Sequence, residues 1–458
     1  MTAGLLVPAA VSARAVPGRR WPWAFTPRSL WLLLLGILLV LPLWLDRRLL
    51  IVMAAWDAAV LAAWIVDLRR LPVPGALSIR RSWTAPPALA VRQLVHLELT
   101  NDGDAPIAAW LTDLAPPLLR PVPCELSARV AARDTSRVEY DVTPSARGDL
   151  EMGIVAVRYR GTLGLAERWA IAPVGQPVRV YPDVTEAARE TLALIRARQI
   201  AVEKRRARAF GLGRDFESLR EFQEGDEMRD VCWTATARRG RLVTRTYQPE
   251  RSQTVWIVVD AGRLMRAREG VHTRLDRAVN AAFALARVAS GAGDRVGLLA
   301  YGRAAQQRVA PARGAPHLRR ILEALATVRG DAAEADHVRA AGAIMIAQKR
   351  RALVVWLTDV AETAAVPEVI ESAARMVPRH VLLFAVSRPT ELARLAGRIP
   401  ADARDLYRVM AAQEMVERRV RLLGDLRQRG ALAVEVPSAE LTSVVVDRYL
   451  GVKERNLL

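Results

Sequence analysis

The chain has 458 residues, 52% of them apolar, and a formal charge of +19. That length accommodates two or three domains with large cores, and two cysteines without a CxxC pair exclude a disulfide framework and fit a reducing compartment. The excess charge is almost wholly arginine, with lysine only at Lys204, Lys349 and Lys453, and it is spread over every segment; nucleic-acid binders concentrate such charge on one face, so no nucleic-acid partner is expected.

Residues 1–28 read as a cytoplasmic tail and 29–68 as a two-helix transmembrane hairpin. Residues 29–45 carry no charge, and after Asp46-Arg47-Arg48 the run 49–66 is apolar except for Asp57. Each run is close to the roughly 17–25 residues that cross a bilayer. Trp31, Trp44 and Trp64 lie near the ends, where amphipathic rings favour the interface. Arg14, Arg19, Arg20 and Arg28 precede the hairpin and Arg69, Arg70, Arg80 and Arg81 follow it, which places both termini in the cytoplasm and the hairpin in the cytoplasmic (inner) membrane, in contact with lipid. Asp57 is expected to lie inside the hairpin interface rather than to serve as an ion site.

Residues 76–183 change to strand periodicity. Val95, Leu97 and Leu99 alternate with His96 and Glu98, and Val138, Tyr140 and Val142 with Glu139 and Asp141. Prolines and glycines punctuate the runs, so a small β-sandwich is expected, as a spacer or docking surface. Residues 184–250 form a connector and a charged segment. Its first part, 184–209, is rich in Ala, Arg and Glu and reads as a helix ending in a basic cluster at 204–208.

The stretch 211–247 interleaves charges with Phe216, Leu219, Phe222, Val231 and Trp233. A solvated charge run has no need of such anchors, so Asp226, Arg229, Asp230, Arg238 and Arg239 are expected to form a polar network around a buried Trp233. Cys232 beside it reads as a packed thiol. The run Arg214-Asp215-Phe216-Glu217-Ser218-Leu219-Arg220-Glu221-Phe222, then Gly225-Asp226, Arg229, Trp233, Ala237-Arg238 and Gly240-Arg241-Leu242, resembles the bacterial domain of unknown function 58 family. That resemblance implies two membrane helices, a β-rich segment, a von Willebrand factor A-like domain, and a MoxR-type AAA+ ATPase as partner.

Residues 251–451 alternate strand and helix, which predicts a mostly parallel sheet covered on both faces. Strands are predicted at 254–260, 295–301, 352–358, 380–386 and 431–436. Helices are predicted at 274–290, 317–328, 335–348, 368–376, 404–429 and 438–450. The order resembles a von Willebrand factor A-type, Rossmann-like fold. That fold often holds Mg²⁺ on an Asp-x-Ser-x-Ser motif after the first strand and on a later Asp, because Mg²⁺ requires hard oxygen ligands in octahedral array. Here the first motif reads Asp260-Ala261-Gly262-Arg263-Leu264, with both hydroxyls replaced, and Asp359 matches the later position. Asp260 and Asp359 are therefore a degenerate metal pair with weak Mg²⁺ affinity, or else they cap helices or pair with Arg263.

No Gly-Lys dipeptide, HExxH or GxSxG motif occurs, so the familiar nucleotide, zinc-protease and nucleophile-elbow signatures are absent. The expectation is a non-enzymatic, membrane-anchored interaction protein, an adaptor or co-chaperone of an AAA+ ATPase in protein assembly or maturation. Its rim is expected at Asp260, Arg263 and Asp359, supported by Asp226, Arg229, Trp233 and Arg238. The alternative is a membrane-associated enzyme acting on an envelope precursor.

Overall fold

The computed structural model describes residues 7–38, 49–183, 219–222, 228, 231, 233–245, 253–359, 366–455 and 457. Asp226, Arg229, Asp230, Cys232 and the connector at 184–209 lie outside them.

The N-terminal half is a β-domain joined to two helices. Residues 1–28, expected to be a tail, instead supply β1 (Val11–Arg14), β2 (Val16–Pro17) and β3 (Trp23–Phe25). Then come α1 (Pro27–Leu38), α2 (Leu49–Arg70), β4 (Leu77–Trp83), β5 (Gln93–Asn101) and β6 (Ile107–Asp113). The domain is completed by β7 (Leu126–Val130), β8 (Asp134–Val142), β9 (Gly148–Met152), β10 (Val155–Arg160), β11 (Ala166–Ala172) and β12 (Gln176–Val180). One antiparallel sheet runs β1-β4-β5-β8 and a second β2-β11-β10-β6-β7, with β3 also on β11. Alternate residues of both sheets, among them Ile79, Leu97, Leu111 and Tyr159, fill one common core.

A buried charge pair ties these sheets together. Arg81 of β4 is fully enclosed and forks onto Asp113 of β6, with Nε to Oδ2 at 2.8 Å and Nη2 to Oδ1 at 2.5 Å. Its remaining donors reach the Val174 and Gly153 carbonyls, and Tyr140 Oη donates to Asp113 Oδ2 at 2.7 Å. Burial, then the Asp113 charge, pushes the Tyr140 phenol far above its ordinary range.

Among the described residues α2 is the one helix long and apolar enough to cross a bilayer, and only 17% of its apolar window is buried. A core helix of the same composition is covered on most sides. The shorter α1 packs on it: Trp56 Nε1 donates to the Leu32 carbonyl at 2.9 Å, and Asp57 lies where a Cβ on Gly36 would fall, 2.2 Å from its Oδ1. The end of α2 is fixed to the β-domain through Asp67, which is buried and accepts from the Leu165 and Ala166 amides at 2.8 and 2.9 Å.

The signature segment contributes β13 (Leu219–Glu221), α3 (Trp233–Arg239) and β14 (Val243–Arg245), the two strands pairing with each other. Trp233 is 61% exposed and α3 buries none of its residues. The expected burial of Trp233 is therefore not found: the indole is the first residue of a short helix that, among the described residues, is held to β14 through Thr236 Oγ1 and the Val243 amide, while Asp226, Arg229 and Asp230 of the expected network lie outside them.

The C-terminal domain comprises β15 (Thr254–Asp260), the ribbon β16 (Arg268–Glu269) and β17 (His272–Thr273), α4 (Arg274–Gly291), β18 (Arg295–Tyr301), β19 (Ala305–Ala312) and α5 (Ala315–Thr327). It continues with α6 (His337–Ala347), β20 (Leu353–Thr358), α7 (Val366–Met376), β21 (Val381–Arg388), α8 (Thr390–Ala396), α9 (Ala403–Gln428), β22 (Leu432–Pro437) and α10 (Leu441–Glu454). The sheet order is β19-β18-β15-β20-β21-β22, parallel throughout except for edge strand β19. Val255, Ile257 and Val259 face a core built with α4, α5 and α10, while Trp256 and Val258 face one built with α6, α7 and α9. Burial on both faces explains why β15 and β20 are continuous apolar runs.

The first turn of α4 also joins the two domains. Thr273 and Asp276 form a reciprocal cap, and Asp276 Oδ1 accepts from Arg147 Nε of the β-domain at 2.6 Å. Burial works to raise the Asp276 carboxyl, but the Arg147 charge and the Thr273 donors hold it below its usual range. Arg147 Nη1 also reaches the Leu325 carbonyl at 2.8 Å.

Candidate site at the carboxyl edge of the sheet

Strand order reverses between β15 and β20, and their carboxyl ends deliver Asp260 and Thr358-Asp359 side by side. In an open α/β sheet this reversal is where the surface opens into a crevice. Both carboxylates are buried. Asp260 Oδ1 accepts from the Gly262 amide at 2.7 Å and Oδ2 from Thr358 Oγ1 at 2.6 Å. Burial pushes the Asp260 carboxyl up to about 6, against the lowering effect of those two donors; the neighbouring Asp359 charge adds to the rise.

Asp359 is held from two sides by arginines. Arg274, the first residue of α4, donates to Oδ2, and Arg419 of α9 donates to Oδ1 at 2.9 Å. Each arginine then bridges to a glutamate: Arg274 Nε to Glu269 at 2.8 Å and Arg419 Nε to Glu435 at 2.9 Å. Arg419 Nη2 also donates to the Ser387 carbonyl at 2.6 Å. Ser438 Oγ contacts Glu269 and lies 2.8 Å from Ser387 Oγ, closing the network across β21 and β22. Beside it an open cleft of about 250 Å³ is lined by Arg388, Pro389, Leu392, Val416, Arg419 and Glu435.

The residues expected at the rim separate into three groups. Asp260 and Asp359 come together. Arg263 stays near them in sequence but pairs with Glu334 at 2.7 Å, half-exposed, and does not neutralise either aspartate. Trp233 and Arg238 are exposed on α3 and make no hydrogen bond or ion pair to either aspartate. The reading that Asp260 and Asp359 pair with Arg263 is thus replaced by pairing of Asp359 with Arg274 and Arg419. Sequence reading missed both arginines. One signal marked Arg419: it lies on the apolar stripe of α9, with Ala412, Leu422, Leu423 and Leu426.

A divalent cation does not fit this arrangement. All four carboxylate oxygens of the pair are occupied by protein donors. Two of those donors are guanidinium groups, whose positive charge repels a metal ion. At Gly262, where a hydroxyl is needed, an added Cβ would lie 2.8 Å from the Ala335 amide nitrogen. Among the described residues no group of three or more His, Cys, Asp and Glu side chains is placed to hold a metal.

Behind the rim, Trp356 Nε1 donates to Tyr301 Oη at 2.6 Å, and Tyr301 Oη meets His337 Nδ1 at 2.7 Å. Burial lowers His337 to about 4, overriding nearby carboxylates, so the ring is neutral. This chain is enclosed in the core and serves to satisfy its own polar groups.

Comparison with known proteins adds a family. Two uncharacterized proteins, one from Mycobacterium bovis and one from Mycobacterium tuberculosis, are each 31% identical over 156 residues, covering 32% of this chain and 48% of the relative. The chain thus spans about half the length of the curated relatives it matches. Among solved structures, conserved hypothetical protein BatB from Bacteroides thetaiotaomicron is similar over 44% of this chain and 100% of its own, with 16% identity and a TM-score of 0.27. A PapD-like domain of a human protein is similar over 21% of this chain and 74% of its own, with 16% identity and a TM-score of 0.15. Neither score carries a fold assignment. Residues 218–399, which hold most of the charged signature and the Asp260 and Asp359 strand ends, match the family described as protein of unknown function DUF58.

Proposed function

We propose that the protein is a membrane-anchored interaction module whose C-terminal domain, residues 251–451, is von Willebrand factor A-like and docks its partner on the carboxyl rim of the sheet without a metal ion. The family resemblance supplies the partner class, a MoxR-type AAA+ ATPase, for which the protein acts as adaptor or co-chaperone in protein assembly or maturation. The observation that carries this reading is the double arginine hold on Asp359. In a metal-dependent site of this kind the cation recruits the partner's carboxylate. Here guanidinium groups take that place from inside the chain, so recognition rests on the rim's own side chains and on the adjoining cleft. Loops displayed at one end of a rigid sheet suit that task.

Topological parity supports a membrane hairpin. Strands β1–β3 precede α1 and α2, yet pair with strands that follow them. Residues on both sides of α2 therefore share one side of any bilayer it crosses. One crossing by α2 needs a return, for which residues 27–48 are the available segment. The arginine flanks support the cytoplasm as that side.

The test is capture of the AAA+ ATPase by the full chain. Arg263→Glu reverses a half-exposed rim charge without touching the core, so it is expected to weaken capture while membrane extraction and melting stay unchanged. Full capture by Arg263→Glu would move the interface away from this part of the rim. No AAA+ protein recovered with the wild type after cross-linking would end the adaptor reading.

A further inference from the structure

The least explained surface of the β-domain lies where α2 enters it. Trp23 meets Trp64 of α2 edge-on at 5.4 Å between ring centroids, and Phe25 stacks on the same ring at 4.3 Å. Trp21 extends the cluster outward, 5.7 Å from Trp23, and is 67% exposed. These rings thus flank the last turns of α2, about 9 Å before its end at Arg70 by the helical rise. Leu163, in the loop fixed by Asp67, is exposed as well.

The same place is strongly basic. Arg19, Arg20 and Arg28 are exposed beside the aromatic strands, and Arg69 and Arg70 are exposed at the helix end. The nearby acids are already used: Asp67 is buried on backbone amides, and Glu167 pairs with Arg160 at 2.7 Å. Arg19 lies over the Trp169 ring at 4.5 Å, which keeps a cation on the surface of the aromatic cluster. Indole rings with one apolar and one polar end, interleaved with uncompensated arginines at the exit of an apolar helix, match the chemistry of a bilayer interface carrying negative headgroups.

We infer that the face formed by Trp21, Trp23, Phe25, Arg19, Arg20 and Arg28 seats the β-domain on anionic phospholipid, with Trp21 inserted at headgroup level. This rests on the reading of α2 as a membrane span and adds to it a fixed orientation. Because Asp67 locks the helix end to the 165–166 backbone, the domain has no free tether on which to swing away from the surface. Headgroup contact is thus a second, electrostatic attachment that depends on lipid composition.

The test uses the full chain in lipid nanodiscs of phosphatidylglycerol or phosphatidylcholine, with acyl chains brominated either close to the glycerol, to read Trp21, or near their methyl ends, to read Trp56. The emission lost in Trp21→Phe reports Trp21, and that lost in Trp56→Phe reports the middle of α2. In phosphatidylglycerol the Trp21 component is expected to be quenched about twofold or more, with clearly less quenching in phosphatidylcholine. Arg19→Glu with Arg20→Glu is expected to abolish that difference while Trp56 stays quenched. Trp21 unquenched, or quenched equally in both lipids, with Trp56 quenched, would overturn the docking inference and leave the span intact. Neither indole quenched would overturn the span reading itself.

Discussion

Two buried arginine–carboxylate arrangements use the same chemistry for different ends. Arg81 and Asp113 are an isolated pair in the β-domain, 0% and 3% exposed, with their spare donors and acceptors satisfied by carbonyls and Tyr140. They act as a bolt between two sheets. The Asp359 cluster draws on β20, α4, α9, β21 and β22, and it borders an open cleft through Arg419 and Glu435. A closed pair fixes one geometry, whereas a branched cluster at a strand-order reversal leaves part of its charge facing a space that a partner can enter. The difference lies in surroundings, since both depend on a guanidinium fork that satisfies planar carboxylates.

Breaking the closed pair is expected to have the largest effect. Asp113→Ala leaves Arg81 charged and enclosed, so it is expected to cost about 3–5 kcal/mol. The double change Arg81→Met with Asp113→Leu removes both charges and is expected to cost much less. Denaturant unfolding of the full chain in detergent distinguishes them; equal losses would mean the pair acts through shape alone.

The second effect separates Asp260 from its neighbours by pH. Its folded carboxyl titrates near 6, above the unfolded value, so folding takes up a proton between about pH 4 and 6 and stability falls as pH rises through that window. His337 has the opposite sign: with its folded value near 4, stability is complete above about 6.5 and is lost as pH falls. The two slopes oppose each other in the wild type. Asp260→Asn leaves His337 unopposed, and its stability is expected to rise from pH 4 to 6.5 by about 2–3 kcal/mol more than that of the wild type. Parallel melting profiles for the two proteins would show that Asp260 is not the group held protonated.

A third change tests whether the rim is a metal site lacking only its hydroxyls. Gly262→Ser with Leu264→Ser restores the motif, but a side chain at 262 meets the Ala335 backbone. The expectation is a loss of about 1–3 kcal/mol from overpacking, with no calorimetric Mg²⁺ binding. Micromolar Mg²⁺ binding by this variant would show that the arginines yield to a cation. The smallest effect belongs to Trp233→Ala: at an exposed position it is expected to shift stability by no more than about 0.5 kcal/mol. A loss of several kcal/mol would mean that the indole is covered in the folded protein.

Sequence periodicity made the strands of the C-terminal sheet legible where burial on both faces left an uninterrupted apolar run. Thr254–Asp260 and Arg295–Tyr301 have the bounds their composition suggests. Edge strand β19 escaped notice because Gln306, Gln307 and Pro311 are tolerated where one side faces solvent. Strands β1–β3 escaped for a related reason, being two to four residues long and broken by Gly18 and Pro22. At the site, both aspartates were visible as strand ends. Their arginine partners were not, since Arg274 and Arg419 lie 85 and 60 residues from Asp359 and only the strand order brings them close. Trp233 misled because an aromatic among charges reads as an anchor, although here it is exposed at the start of a short helix beside the ribbon of β13 and β14.

The first turn of α4 holds two joints within three residues. Arg274 grips Asp359 at the rim, and Asp276 grips Arg147 of the β-domain, whose other strands are fastened to the end of α2. A load applied at the rim therefore has a short path through this turn into the β-domain and on to the end of α2, and the ion pairs share its stiffness with the contact of Arg147 on the Leu325 carbonyl.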